Sequence, residues 1–90
     1  MRKIEYHALF KKDFKKIVKR GYEIRKLEEI IGLLANEQPL PPKNRDHSLH
    51  GDYEGARECH IAPDWLLVYS ISGDNLTLYC MRTGTHSDLF

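Results

Sequence analysis

The stretch Trp65-Leu-Leu-Val-Tyr-Ser-Ile71 decides the fold, because its first five side chains are apolar without a polar break. A short run of this kind is typical of a strand that is covered on both faces. Two further β-rich runs flank it, at residues 56–62 and 76–81, and links of only a few residues join the three. Short links favour antiparallel hairpins, so the sequence predicts a three-stranded meander with Trp65–Ile71 in the centre.

Two amphipathic helices are predicted ahead of the meander. Apolar residues recur at helical spacing through residues 10–18, and the same pattern runs from residue 24 to about residue 36. Gly21 stands where a helix C-terminus favours glycine. The two helices therefore form a hairpin whose apolar faces need a sheet to cover, and residues 2–6 are interpreted as an edge strand of that sheet.

The predicted fold is α+β with the order β-α-α-β-β-β, a helical hairpin packed on a small, mainly antiparallel sheet. Residues 37–51 are polar and contain three prolines, which favours an extended surface loop. Thr85 and Asp88 have the spacing of a capping box, which predicts a short C-terminal helical turn beginning near His86. With 90 residues, the chain is expected to form one domain over residues 1–90.

Composition excludes several classes of protein. Hydrophobic residues make up 41% and charged residues 30%, which is typical of a folded soluble protein. No apolar run approaches the length of a membrane span, and a lysine-rich segment occupies the place of a signal peptide's apolar region. Cys59 and Cys80 lie in apolar strands without CxxC spacing, which indicates buried thiols in a reducing compartment. We therefore expect a cytoplasmic protein.

The net charge of +1 hides a division between the two halves of the chain. Residues 1–45 carry twelve Lys or Arg against six Asp or Glu, and residues 46–90 carry two against seven. Such a polarised surface suits a polyanion on its basic side. The basic face of the first helix includes Lys11, Lys12, Lys15 and Lys16, which either track phosphates or form a solvated surface.

Five histidines suggest metal binding first, but their spacing does not support it. His47 and His50, with Cys59 and His60, include suitable ligand types, yet they provide only one weak pair of close ligands. The sequence therefore predicts no metal and no other cofactor. His7 and His50 are assigned no role.

A different chemistry emerges from five residues that the strand order allows to converge at one edge of the sheet. Cleavage of RNA through its own 2′-hydroxyl needs a proton acceptor, a proton donor and positive charge on the phosphate. Histidine and aspartate supply the first two and arginine supplies the third. The candidates are His47, His60, Asp64, Arg82 and His86.

Two aromatic residues each have two interpretations. Trp65 either belongs to the core or lies beneath the site and holds Asp64 in place. Phe90, at the end of the sequence, either packs back onto the sheet or stacks on a base.

With these residues assembled, the sequence resembles the YafQ-type mRNA interferases of the RelE/ParE toxin superfamily. The resemblance extends over essentially all of the sequence, including the helical hairpin. Three segments carry it: Asp46-His47-x-Leu49-x-Gly51, Arg57-x-x-His60-x-x-Pro63-Asp64-Trp65-x-Leu67-x-Tyr69 and Arg82-Thr83-Gly84-Thr85-His86-x-x-Leu89-Phe90.

The resemblance implies a type II toxin, a ribosome-dependent endoribonuclease that cuts mRNA in the A site until a cognate antitoxin sequesters it. It places the four acid–base candidates on the family's catalytic set, Arg82 on its phosphate-contacting arginine, and Trp65 and Phe90 on its site-shaping aromatics. Among the four, His86 is the favoured acid or base at the scissile phosphate. Asp64 and His60 orient groups or relay protons, and His47 assists, while the arginine stabilises the transition-state charge. Which group is acid and which is base stays open.

Two other functions stay open as alternatives. One is a ParE-like toxin that acts on gyrase, although that group lacks a comparable histidine and aspartate set. The other is a small basic RNA-binding module without catalysis, which would bind RNA without cutting it.

Overall fold

One five-stranded sheet and three α-helices organise the chain in a computed structural model that describes residues 1–90. The strand order across the sheet is β1-β5-β4-β3-β2. The helices are α1 (Ala8–Lys19), α2 (Ile24–Ala35) and α3 (His86–Leu89). The strands are β1 (Lys3–Tyr6), β2 (His47–Ser48), β3 (Arg57–Ala62), β4 (Trp65–Ile71) and β5 (Thr77–Gly84).

Strand β4 lies at the centre of the sheet, as its sequence predicts, and pairs antiparallel with β3 and β5. Its first five side chains are all buried. Because side chains of a strand alternate between faces, Trp65, Leu67 and Tyr69 pack against the helices in the main core. Leu66 and Val68 face the other way and form a smaller cluster with Ala56 and Leu89.

The predicted helical hairpin is confirmed. Phe10 and Ile17 of α1, and Leu27 and Leu34 of α2, are buried against the sheet. Gly21 follows the end of α1 with a φ of +79°, a left-handed conformation that glycine adopts without a steric penalty. None of the helices combines the length and the apolar character needed to cross a membrane.

The sheet is mainly antiparallel, as predicted, and it contains two pairings that the sequence did not specify. β1 runs parallel to β5, so the predicted edge strand is present but the sheet is mixed. A two-residue strand, β2, forms within the predicted loop, which also contains a 3₁₀ turn at Pro42–Asn44. The apolar pattern could not reveal either feature, because side-chain periodicity carries no information on strand direction or on pairing by polar residues.

The last strand is longer than predicted and includes Arg82, which was expected to follow it. The polar sequence of residues 82–84 does not indicate a strand, but their backbone pairs with β4 through Val68, Leu67 and Leu66. Backbone hydrogen bonding therefore extends β5 beyond the apolar run.

The C-terminal turn is confirmed as helix α3. The Thr85 hydroxyl accepts a hydrogen bond from the Asp88 backbone N–H, and the Asp88 carboxylate accepts one from the Thr85 N–H, which completes a capping box. Arg20, the residue that caps the C-terminus of α1, donates two hydrogen bonds to Asp88, at 2.6 and 3.0 Å. Gly84 is required before this turn, since its φ is +151° and a Cβ there would lie 2.8 Å from Asp88 Oδ2.

We predict that the Arg20–Asp88 pair makes stability depend on pH. The Arg20 guanidinium and the Thr85 N–H hold the pKa of Asp88 well below its usual range. A depressed folded-state pKa contributes stability that is fully present above the unfolded value of about 4 and declines as pH falls from there through the lower folded pKa. Asp88→Asn should therefore lower Tm by a few degrees at pH 7, with a smaller deficit at pH 3, in thermal denaturation followed by circular dichroism.

Asp52→Asn provides the control, since Asp52 is exposed and makes no ion pair. An Asp88→Asn deficit that is equally large at pH 3 and pH 7 would contradict the electrostatic explanation and indicate a packing effect.

Candidate active site

A row of side chains crosses the face of the sheet that α1 and α2 leave uncovered. His47 pairs with Glu58, and Val68 pairs with both Glu58 and Arg82, so the row spans four strands. Directly paired residues point to the same face. His60 follows Glu58 by two residues and faces the same side. The candidates are thus gathered across a sheet face and not, as the sequence suggested, at one edge.

His86 and Asp64 meet at one end of this face. Asp64 lies in the turn between β3 and β4, and His86 is the first residue of α3. The Asp64 Oδ1 atom lies 2.8 Å from His86 Nδ1 and accepts a hydrogen bond from the His86 backbone N–H at 3.1 Å. These contacts lower the pKa of Asp64. They also fix the imidazole, so Nε2 is the nitrogen available to a substrate.

Glu58 links the remaining two histidines and was missed by sequence reasoning. It is only 5% exposed, and its Oε1 atom lies 3.5 Å from His47 Nε2 and 3.9 Å from His60 Nε2. The His60 ring centroid in turn lies 5.8 Å from that of His86. Three imidazoles and two carboxylates thus form a continuous acid–base cluster. The only sequence signal for Glu58 is its position two residues before His60, inside a strand.

Part of the same cluster has the composition of a metal site. Ligand atoms of Glu58, His60 and His86 all lie within 4.8 Å of one another. Imidazole and carboxylate groups suit zinc or copper. Sequence spacing disfavoured a metal here, but spacing could not show that strand β3 and helix α3 bring these three groups together.

Arg82 is held by a buried carboxylate that the sequence did not single out. Asp13 of α1 is 5% exposed, and it accepts hydrogen bonds from Arg82 Nε at 2.7 Å and from Arg82 Nη2 at 3.1 Å. It also accepts one from the Thr83 backbone N–H at 3.2 Å, beyond the segment of β5 that pairs with β1. These bonds raise the pKa of Arg82. Asp13 leaves Arg82 Nη1 without a carboxylate partner, and the Tyr53 hydroxyl is the other group close to the guanidinium.

The segment that carries His47 is fixed by its neighbours. The Asp46 carboxylate accepts hydrogen bonds from Arg57 at 2.9 Å and from the Tyr69 hydroxyl at 2.5 Å. The Arg45 carbonyl lies 2.7 Å from His47 Nδ1, which leaves Nε2 facing Glu58. Arg45 adopts a left-handed φ of 47°, a conformation that aims this carbonyl back at the ring.

The two aromatic candidates lie in different environments. Trp65 is 4% exposed and donates a hydrogen bond to Thr83 Oγ1 at 2.9 Å, so it supports the site from the core and offers no face to a substrate. Phe90 is 61% exposed, and its ring meets the Tyr53 ring edge to face, with centroids 5.5 Å apart. Its ring therefore lies outside the core.

The predicted basic face is exposed on α1. Its members are Lys11, Lys12, Lys15 and Lys16. Lys11 and Lys15 border an apolar groove between the two helices that includes Phe14 and Ile24. The lysines lie on α1, apart from the acid–base cluster, which is built on β2, β3 and α3.

Comparison with known proteins agrees with this architecture. Residues 2–90 match the family model described as the bacterial toxin of type II toxin-antitoxin systems, YafQ. The mRNA interferase toxin YafQ of Escherichia coli K12 is 42% identical over 90 residues, which covers 99% of this chain and 96% of that protein.

Solved structures agree as well. A metal-bound toxin from Helicobacter pylori is 48% identical and superposes with a TM-score of 0.93 over the full length of both chains. The YafQ chain of the Escherichia coli DinJ-YafQ complex is 41% identical, with a TM-score of 0.90 over 100% of this chain and 99% of that one.

We predict that Asp13 stabilises the fold through Arg82. Removing one partner of a buried ion pair costs about 3–5 kcal/mol, and partial exposure of Arg82 reduces this to roughly 1–3 kcal/mol. Asp13→Asn should lower the free energy of unfolding by that amount, as measured by urea denaturation. The same change should lower the free energy of unfolding clearly less in an Arg82→Met background. An equal loss of free energy in both backgrounds would show that the two side chains are not coupled.

Proposed function

The chain belongs to the YafQ family of bacterial toxins from type II toxin-antitoxin systems, and we propose on this premise that it is an endoribonuclease that cuts messenger RNA and inhibits translation. One observation carries the proposal. An exposed imidazole, His86, is oriented by Asp64 at 2.8 Å, and its ring lies 5.8 Å from that of His60. Two imidazoles at this separation can reach the same phosphodiester from two sides.

The reaction we propose is attack of a 2′-hydroxyl on its own 3′-phosphate. One group of the cluster removes the proton of the 2′-hydroxyl, and the oxygen attacks phosphorus. A second group gives a proton to the departing 5′-oxygen, so the products are a 2′,3′-cyclic phosphate and a free 5′-hydroxyl. His86 serves as one of these groups. His60 is the nearest candidate for the other, and Glu58 and His47 hold or exchange its proton.

Arg82 supplies the positive charge. Asp13 binds one side of the guanidinium and thereby fixes its plane, and Nη1 remains for a phosphate oxygen. A positioned cation stabilises the charge that builds up on the phosphate in the transition state, and it needs no reorganisation when the reaction occurs. The mechanism balances protons and charge without a metal. Zinc or copper held by Glu58, His60 and His86 would occupy the same groups and block them.

The partners we propose are the ribosome with its mRNA and a cognate antitoxin. Lys11, Lys12, Lys15 and Lys16 provide an exposed basic surface suited to ribosomal RNA. An Escherichia coli relative forms a complex with DinJ, which supports an antitoxin partner for this chain. In this proposal residues 1–90 act as one toxin domain in the cytoplasm, where ribosomes are.

We predict that His86→Ala abolishes mRNA cleavage while the fold is retained. Loss of a positioned acid or base typically lowers a rate about 10²- to 10⁴-fold. The measurement is primer extension on mRNA in translating ribosomes. His7→Ala is the control, since His7 is also exposed but lies at the start of α1.

Growth arrest and cleavage by a fully expressed His86→Ala protein would refute the mechanism. Wild-type cleavage that disappears with a chelator and returns with zinc would show that the reaction needs a metal. Binding without any cleavage by the wild type would instead support the non-catalytic RNA-binding module, and gyrase inhibition would support the ParE-like alternative.

Phe90 gives a second prediction. Its exposed ring is suited to stacking on a base, an interaction worth about 1–3 kcal/mol. Phe90→Ala should therefore depress mRNA cleavage with little change in Tm, and Phe90→Trp should retain much of the activity. A large fall in Tm for Phe90→Ala, with full activity of the folded protein, would show that the ring acts in packing.

A further inference from the structure

A cavity of about 510 Å³ lies beside the acid–base cluster and shares His60 with it. It opens along the outer edge of β3, between α2, the turn that follows Pro42 and the turn between β3 and β4. Its lining residues are Lys26, Glu29, Lys43, Asn44, Arg45, His60, Ile61, Ala62 and Pro63. The proposed reaction uses His60 but no other residue that lines this cavity.

The walls of the cavity carry an excess of positive charge. Lys26, Lys43 and Arg45 contribute three cations against the single carboxylate of Glu29. Lys43 and Arg45 make no ion pair, and the only one at Lys26 is a contact of 3.8 Å with exposed Glu23. Cations around a concavity attract an anion because their fields add there, and the single wall carboxylate, Glu29, offsets only one of the three positive charges.

The cavity is rigidly connected to the catalytic strand. Asn44 is 5% exposed, and its side-chain N–H donates a 2.7 Å hydrogen bond to the His60 carbonyl. This bond fixes the amide, and its Oδ1 atom is left buried without a hydrogen-bond partner. A buried acceptor without a donor costs free energy, and the hydrogen bond to the His60 carbonyl helps to offset that cost, so Asn44 couples the cavity wall to the strand that carries His60.

We propose that this cavity is a subsite for a nucleotide of the RNA strand next to the cleaved linkage, an inference that rests on the proposed endoribonuclease function. Lys43 and Arg45, with Lys26, bind the phosphate of that nucleotide, and the apolar wall of residues 61–63 packs against its ribose or base. RNA is favoured over an acidic peptide because His60 borders both sites. A strand whose scissile phosphate lies between His60 and His86 passes from the cluster directly into the cavity.

The test uses synthetic mRNAs in translating ribosomes, each with one neutral methylphosphonate within three linkages of the cleavage site. At one of these positions, the methylphosphonate should lower the efficiency with which the wild type cleaves the mRNA. For unmodified mRNA, Lys43→Gln with Arg45→Gln should raise KM about threefold to tenfold with kcat almost unchanged. At the sensitive linkage, the methylphosphonate should then lower the cleavage efficiency of this variant much less than it lowers that of the wild type.

Two variants of neighbouring residues serve as controls. Arg25→Gln removes an exposed cation of α2 outside the cavity and should leave KM unchanged. Glu29→Gln removes the only carboxylate of the cavity wall and should lower KM. Circular dichroism on each variant confirms that the fold is intact.

The subsite is refuted if every methylphosphonate lowers the cleavage efficiency of the double variant as much as that of the wild type. It is also refuted if the KM of the double variant matches the KM of Arg25→Gln. Unchanged cleavage with weakened antitoxin binding would refute it too and assign the cavity to an acidic protein segment. Fluorescence anisotropy of the same RNA series with wild-type and variant protein reports on the cavity even when no RNA is cut. The subsite and the nuclease function can therefore fail separately.

Discussion

Burial of strand β4 on both faces is the constraint on which the remaining structure depends. The helical hairpin covers one face, against Trp65, Leu67 and Tyr69. No helix layer covers the other, so Leu66 and Val68 are shielded by the segment that ends at Ala56 and by Leu89 of α3. These covering segments are the ones that carry His47 and His86. The candidate active site therefore arises where loops and a short helix complete the burial of the central strand.

The two-residue period of a strand explains why the acid–base cluster does not disrupt the core. In β3, Cys59 belongs to the main core and Ile61 packs against it, while Glu58 and His60 face the opposite side. A buried carboxylate is tolerated only when charged or polar partners surround it. Glu58 lies between two histidines, and Asp13 binds Arg82, so each buried acid keeps a functional side chain in place.

Periodicity and local motifs were sufficient to predict the helices, the central strand and the C-terminal turn. The signals were strong because each depends on neighbours in sequence, such as Gly21 after α1 or the Thr85–Asp88 capping box. His86 and Asp64, although 22 positions apart, were placed together because the predicted meander brings its ends close.

The contributions of Glu58, Asp13 and Asn44 could not be predicted from the sequence. Asp13 lies among lysines and looks like part of a solvated face, until its contact with Arg82, 69 positions away, is known. The parallel pairing of β1 with β5 was missed for a similar reason, since its ladder joins residues more than 70 positions apart. Local patterns do not encode such long-range contacts, and a buried carboxylate has no composition signal of its own.

Helix α1 sets the spacing between two parts of the site. Asp13 holds Arg82, and Arg20, seven positions later, holds Asp88 of α3. Seven residues make about two helical turns, so the two anchors lie on the same side of α1 at a separation of about 10 Å. Helix geometry sets this spacing without any loop. Because one helix carries both anchors, it sets the spacing between Arg82 and the turn that begins at His86.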